Sequence, residues 1–371
     1  MELVNATQMQ AGYTQGLRPD GRELLVVVVK GTFTLPKPGE APRFADEQLP
    51  LVEADTFTGE PGVSAPIYES DYAPFKPRCD VILNGSAYAP GGRPAAKVPV
   101  GIKVGRVAKV FNVVGDRTWE AGIGGIGPGF AAPFDRKPIS YDVAFGGVDA
   151  FSDDPADHGA YLPNPCGVGY RKGLTTGPID GTPMPNTEER DDPVKSPLGR
   201  YRPMAFGPVG RGWEPRYKLA GTYDEDWLEN VFPFLPSDFD ERYYQCAPED
   251  QQTDHLSGGE TVTLVNLTPD GRREFEIPRL DVRVRFLLAD GERVEETAKA
   301  DTLCLEPDLE RFVVVWRTHL PLGRNMFDVR QVIVGRMSRG WWRARELGKS
   351  YFPTPAAAIA GEPAAADEEV E

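Results

Sequence analysis

"ELLVVVVKGTFTL", residues 23–35, runs through six consecutive aliphatic side chains, Leu24 to Val29, before it begins to alternate. A continuous Val-rich run of that length suits a β-strand buried on both faces, not one half-exposed to water. It follows Arg18-Pro19-Asp20-Gly21-Arg22. Pro presets φ for a tight turn and Gly accepts positive φ, so residues before 18 and after 22 are expected to form a hairpin.

Further strands follow on either side of the chain's centre. "CDVILNGSAY" (79–88) is one candidate. "VPVGIKVGRVAKVFNVVGDRTW" (98–119) sets Val98, Val100, Ile102 and Val104 at period two and has room for two or three strands, and "ISYDVAFGG" (139–147) closes the block. From 259 the β pattern returns. "ETVTLVNLTPDGRREFEIP" reads as a hairpin turning at Pro269-Asp270-Gly271. "LDVRVRFLLADGERVEETAKA" places Val282, Val284, Phe286 and Leu288 on one face and Arg283 and Arg285 on the other, then turns at Asp290-Gly291. "TLCLEPDLERFVVVWRTHL" gives a strand, a turn at Pro307-Asp308 and a buried strand from Phe312 to Trp316, and "DVRQVIVG" adds one more. Together these predict an antiparallel meander. "ELLVVVVKGTFTLP" and "ERFVVVWRTHLPL" look alike, although two short Val-rich strands do so readily by chance.

The middle is different. Fourteen of the 36 prolines fall between 151 and 258, in pieces such as "LPNPCGVGY" and "TPMPNTEERDDP". Each Pro removes a ladder donor, so regular strands cannot continue there. The expected organisation is a β-rich region over 1–150, a loop-rich aromatic and acidic region over 151–258, an antiparallel meander over 259–350, and a disordered acidic tail over 351–371. The fold class is mainly β, an antiparallel sheet or sandwich scaffold with a long Pro/Gly-rich irregular middle. Gly (40) and Pro (36) make about a fifth of the 371 residues, which fits many turns and few long helices.

The net charge is −15 with a pI near 4.9, so phosphate backbones and anionic membranes repel the chain. No aliphatic run approaches the length that crosses a bilayer, and "MELVNATQMQ" has neither the basic nor the apolar segment of a secretory signal, so the expected address is the cytoplasm. Cys79, Cys166, Cys246 and Cys304 lie 87, 80 and 58 residues apart, without the spacing of a zinc or redox pair, and read as buried or partly buried thiols.

Chemical motifs fail on their surroundings. "GIGGIG" (122–127) spells a dinucleotide fingerprint, but Pro128, Pro133 and Pro138 forbid the helix whose N-terminus would hold a pyrophosphate. Its glycines are expected instead in a loop close to other backbone. "GKS" (348–350) lacks the glycine of a phosphate-binding loop, because Ala344 stands there. His158, His255 and His319 are scattered. No cofactor, metal or catalytic residue is assigned.

One stretch stands apart. "DEDWLENVFPFLPSDFDERYYQCAPEDQQ" (224–252) carries nine Asp and Glu against one basic residue, Arg242, interleaved with Trp227, Phe232, Phe234, Phe239, Tyr243 and Tyr244. As a calcium loop with Asp238, Asp240 and Glu249 at its first, third and twelfth positions, it would put Arg242 in the ligand shell and Tyr243 where glycine is needed. A pair of these carboxylates as a hydrolase's acid and base stays open, with no way to choose the pair. The remaining reading is a recognition surface, rigid aromatics inside an acidic rim.

The ordered series "LLVVVVKGTF", "KPRCDVILNGSAYAPGG", "VGDRTW", "ISYDVAFGG", "PNPCGVGY", "GTYDEDWLENVFPFLPSDFDERYYQCAPEDQQ" and "LSGGETVTLVNLTPDG" resembles a bacterial domain-of-unknown-function family encoded beside type VI secretion genes. The resemblance spans residues 1 to about 290. It implies a cytoplasmic adaptor or chaperone, not an enzyme, which binds a secreted effector and helps load it onto the valine-glycine-repeat spike trimer or its PAAR-repeat tip. It carries over no catalytic residue. The residues expected to touch the partner are Trp213, Trp227 and Tyr244, with Asp224, Glu225, Asp226, Asp238 and Asp240 as an acidic rim. The alternatives are a glycosidase-like carboxylate-pair hydrolase on the same stretch and a structural part of the secretion apparatus.

Overall fold

The hairpin expected around Pro19–Gly21 forms one margin of the largest sheet in a computed structural model that describes residues 1–123, 125–173, 178–323, 326–352 and 359. In chain order the principal strands are β1 (Glu2–Asn5), β2 (Gln10–Leu17), β3 (Glu23–Thr34), β4 (Cys79–Leu83), β5 (Lys97–Val104), β6 (Val107–Val114), β7 (Thr187–Glu188), β8 (Gln252–Thr253), β9 (Thr261–Val265), β10 (Arg272–Glu276), β11 (Arg283–Leu288), β12 (Arg293–Thr297), β13 (Lys299–Glu306), β14 (Arg311–Pro321) and β15 (Val329–Val334). The α-helices named among the described residues are α1 (Glu225–Asn230) and α2 (Arg339–Glu346). The protein is mainly β.

Three sheets carry the fold, with strand orders β8-β4-β13-β14-β3-β2, β7-β6-β5-β9-β10 and β1-β15-β11-β12. Their inner faces meet in one core. Leu25, Val27 and Val29 of β3, Phe312, Val314 and Trp316 of β14, Val98, Val100, Ile102 and Val104 of β5, and Val284 and Phe286 of β11 all belong to it. The other face of β3, with Leu24, Val26 and Val28, is covered too, by Leu49, Leu51, Tyr68 and Tyr72. Burial on both faces is what the unbroken aliphatic run requires. The two look-alike strands, β3 and β14, are antiparallel neighbours paired from Leu24↔Pro321 to Thr34↔Arg311.

Every expected C-terminal hairpin forms, but they do not make one meander. β9–β10 joins the five-stranded sheet, β11–β12 the four-stranded and β13–β14 the six-stranded, where β13 also runs parallel to β4. Turn chemistry sets a hairpin locally, whereas the choice of sheet partner is made by long-range packing.

The proline-rich middle is irregular yet packed. Trp119, Phe145, Tyr170, Ile179, Met184 and Val194 form a small satellite core, with Phe145 edge-on to Tyr161 and Tyr201. Residues on both sides of position 150 therefore share one cluster, and the change of composition there is no packing boundary. The glycines of "GIGGIG" belong to a ribbon, Trp119–Gly122 paired with Gly125–Pro128, with Gly124 outside the described residues. They are not pressed on neighbouring backbone as expected: a Cβ on Gly127 would meet nothing within 4 Å. "GKS" follows α2 instead of leading into a helix. Cys79, Cys246 and Cys304 are buried, Cys166 is partly so, and all four are free thiols. Of the acidic tail, only Tyr351, Phe352 and Ile359 are described. No helix among the described residues is long and apolar enough to cross a membrane.

Candidate protein-binding surface

The acidic, aromatic stretch opens with a loop drawn together at its neck. The Thr222 backbone N–H and hydroxyl donate to the two Asp238 carboxylate oxygens at 2.9 and 2.8 Å, and Asp240 N–H donates to Leu219 C=O at 2.9 Å. Gly221 makes the bend with φ +83°; a Cβ there would sit 2.9 Å from the Asp238 carboxylate, so the two limbs are in contact.

Between the limbs lies α1. Asp224 caps it by accepting from the Trp227 N–H at 2.9 Å, and Glu225 and Asp226 occupy its first turn, where negative charge meets the positive end of the helix dipole. Six residues are too few to stand alone, so the helix needs packing. Trp227 supplies it. Its indole N–H donates to Phe234 C=O at 3.0 Å, and its ring meets Tyr223 and Phe232 edge-on, centroids 4.7 and 5.6 Å away.

None of the α1 residues is buried, and the apolar side chains around Trp227 face water. Leu228 and Phe232 are each 62% exposed, Tyr223 54% and Phe234 48%. Large apolar side chains exposed singly are ordinary, but Tyr223 and Phe232 flank one half-buried indole, the Phe234 carbonyl accepts its N–H and Leu228 follows it in α1, and together these exposed side chains form a patch.

The expected contact residues separate into groups. Asp224, Glu225, Asp226 and Trp227 are together on or beside α1, with Glu229. Asp238 and Asp240 are at the neck and already engaged, Asp238 by Thr222 and Asp240 by the Arg242 guanidinium at 2.9 Å. Hydrogen bonds from Thr222 hold the Asp238 carboxyl below its ordinary range, and the bond from Arg242 does the same for Asp240. Both carboxyls are thereby kept ionised, the opposite of what a general acid needs. Tyr244 packs on Phe239 and Tyr243, and burial raises its pKa to about 12.

Trp213 is misplaced by the sequence reading. It is 6% exposed, edge-on to Tyr141 in the main core, so it cannot be a contact. Four exposed residues were not among the expected contacts: Tyr223, Leu228, Phe232 and Phe234. For Phe232 and Phe234 the signal was "VFPFLP" (231–236), where Pro233 and Pro236 keep both aromatics out of any sheet ladder.

The limbs border a cleft of about 840 Å3 whose lining includes Lys109, Arg202, Arg216 and Arg242. Each of these cations has a carboxylate partner: Asp250 for Lys109 (3.3 Å) and Arg202 (2.7 Å), Glu69 for Arg216 (2.6 Å) and Asp240 for Arg242. Among the described residues, no three His, Cys, Asp or Glu side chains converge as a metal site.

The clasp makes a prediction. Asp238→Ala should speed backbone hydrogen exchange across 221–240 while leaving β3 and β14 unchanged. Because its folded pKa is lowered, the wild-type clasp holds at neutral pH and loosens only as the pH falls through that lowered value. Equal exchange in both proteins would show that the neck is held by something else.

Residues 20–317 match a bacterial family described as "Uncharacterized protein conserved in bacteria (DUF2169)". No curated protein and no solved structure matches the chain.

Proposed function

The chain belongs to the DUF2169 family of bacterial proteins, and from that premise we propose that it is a type VI secretion accessory protein, an adaptor or chaperone that binds a secreted effector in the cytoplasm and helps load it onto the spike trimer or its PAAR-repeat tip. The observation that carries this reading is the patch of Tyr223, Leu228, Phe232 and Phe234, held outside the core by a loop clasped at its neck and flanked by the carboxylates of α1. An apolar centre with a charged border is the anatomy of a protein interface. The acidic border, on a chain of net charge −15, selects a partner with a basic surface and speeds its approach.

The test is co-expression with effector and spike proteins of a type VI secretion system from the same bacterium, followed by affinity purification and size-exclusion chromatography. One of them should co-elute in a stable complex. Leu228→Ser with Phe232→Ser should weaken that complex by about 2 kcal/mol or more, the scale of interface hot spots. Trp227 is better left in place, because its loss would collapse the loop. The association rate should fall on the order of tenfold from low to moderate salt. A complex indifferent to both changes would move the binding site elsewhere, and no complex at any salt would remove the adaptor reading.

A further inference from the structure

Sheet edges are where a β protein meets other chains, and the three large sheets treat their edges unequally. A bare row of backbone N–H and C=O groups templates another strand, so edges are ordinarily shortened, charged, bulged or interrupted by Pro. β7 and β8 have two residues each and β1 has four. β10 reads RREFE and β12 reads RVEET, both crowded with charge. β2 has none of these protections. It is eight residues long, QAGYTQGL, without charge or Pro, and its register with β3 is unbroken from Gln10↔Lys30 to Leu17↔Glu23. Among the described residues β3 is its only ladder partner in the sheet, and Gln10, Tyr13 and Gln15 are exposed.

The position of this edge adds to the argument. The turn joining β2 to β3 touches the aromatic patch: a Cβ on Gly21 would lie 3.4 Å from the Phe234 ring. One end of this edge thus reaches the apolar patch, where the Phe234 carbonyl is bonded by Trp227 of α1. Arg18 and Arg22 in the turn stand beside Asp20 and Glu23, while α1 contributes Glu225, Asp226 and Glu229.

We propose that β2 is a strand-accepting edge, on which the partner docks an extended, uncharged segment as a seventh strand of the six-stranded sheet, with Lys or Arg residues at the end that lies beside the β2–β3 turn and α1. The proposal rests on the adaptor reading for the occupant being another protein. A second copy of this chain is disfavoured as occupant because each copy carries a net charge of −15. Backbone bonding supplies the affinity and is indifferent to sequence; the neighbouring patch and carboxylates supply the selection.

The test uses the full chain and a synthetic peptide of alternating Thr and Val with a lysine pair at one end, read by backbone hydrogen exchange. Saturating peptide should slow exchange within Gln10–Leu17 about tenfold or more. N-methylating every second peptide residue should abolish binding in one alternation and spare it in the other, because only one set of N–H groups faces the edge. Replacing the lysine pair by glutamates should weaken binding. Unchanged exchange within Gln10–Leu17, binding insensitive to both N-methylation patterns, or protection that rises with protein concentration in the absence of peptide would each overturn the proposal, the last in favour of a second copy. The two readings fail separately. A complex with a co-expressed partner that leaves Gln10–Leu17 exchanging freely removes the strand edge and keeps the adaptor. Peptide protection without any such complex keeps the edge and removes the adaptor.

Discussion

Asp80→Ala is expected to destabilise the protein by about 3–5 kcal/mol, the usual cost of breaking a buried ion pair from one side. Asp80 lies on β4, fully buried on the outer face of the six-stranded sheet. One carboxylate oxygen accepts from Lys76 Nζ at 2.8 Å and from the Cys246 N–H at 2.9 Å; the other accepts from Gln245 Nε2 at 2.7 Å and the Ala247 N–H at 3.1 Å. Burial works to lower the Lys76 pKa, but Asp80, joined by Cys246 and Asp301, outweighs it and holds the ammonium charged well above its ordinary range. Alanine would leave that charge and two backbone N–H groups buried without their acceptor. The measurement is the denaturant midpoint of the variant beside that of Lys76→Met/Asp80→Ala. The double variant should recover part of the loss, because it removes the stranded charge. The damage should extend to residues 245–252, which Asp80 ties to the sheet, and so to the base of the clasped loop. An unchanged midpoint in the single variant would show that the pair contributes no net stability.

Raising the pH from about 8 to 10.5 is expected to stabilise the protein through Lys109 by about 3 kcal/mol. Lys109 is on the core-facing side of β6, in line with Val107 and Phe111, and its Nζ reaches Gln251 Oε1 at 2.7 Å and Asp250 at 3.3 Å. Burial lowers its pKa to about 8 from 10.5, against the opposing pull of Asp250. Between those values the unfolded chain holds more protons than the folded one, so stability climbs with pH across the window. Below about 8 the cost of a charged, buried ammonium is felt in full. Lys109→Met should flatten this part of the stability profile, and the difference between the two profiles isolates Lys109 from the tyrosines and other lysines that titrate nearby. Parallel profiles would mean that Lys109 titrates as freely in the fold as in the unfolded chain.

Neither residue announced itself in the sequence. Lys109 sits within "RVAKVFNVV", where period-two alternation alone places a lysine on the apolar side, and only the approach of Gln251 and Asp250 shows why it is tolerated. Asp80, inside "CDVIL", is a charge in a strand without exposed positions, and apart from Lys76 its partners arrive from residues 245–247. Trp213 failed for the same reason. A Trp among Gly and Pro reads as an exposed loop aromatic until Tyr141, 72 positions earlier in the chain, is seen packed against it.

What the sequence determined by itself is local. β3 is double-buried because six consecutive aliphatics leave it no water-facing side, the hairpins turn where Pro-Asp-Gly and Asp-Gly permit it, and α1 begins at Asp224 because a carboxylate there caps its first turn. The turns and the cap follow from interactions between residues a few positions apart, and the demand of β3 for cover on both faces from its own unbroken aliphatic run. Tertiary structure alone decided that β13 lies beside β4, that Trp213 is buried while Phe232 and Leu228 are not, and that the turn at the end of β2 touches Phe234. Those outcomes depend on which distant surfaces exclude water together, and the free energy of that exclusion belongs to the assembled pair of surfaces, not to either segment.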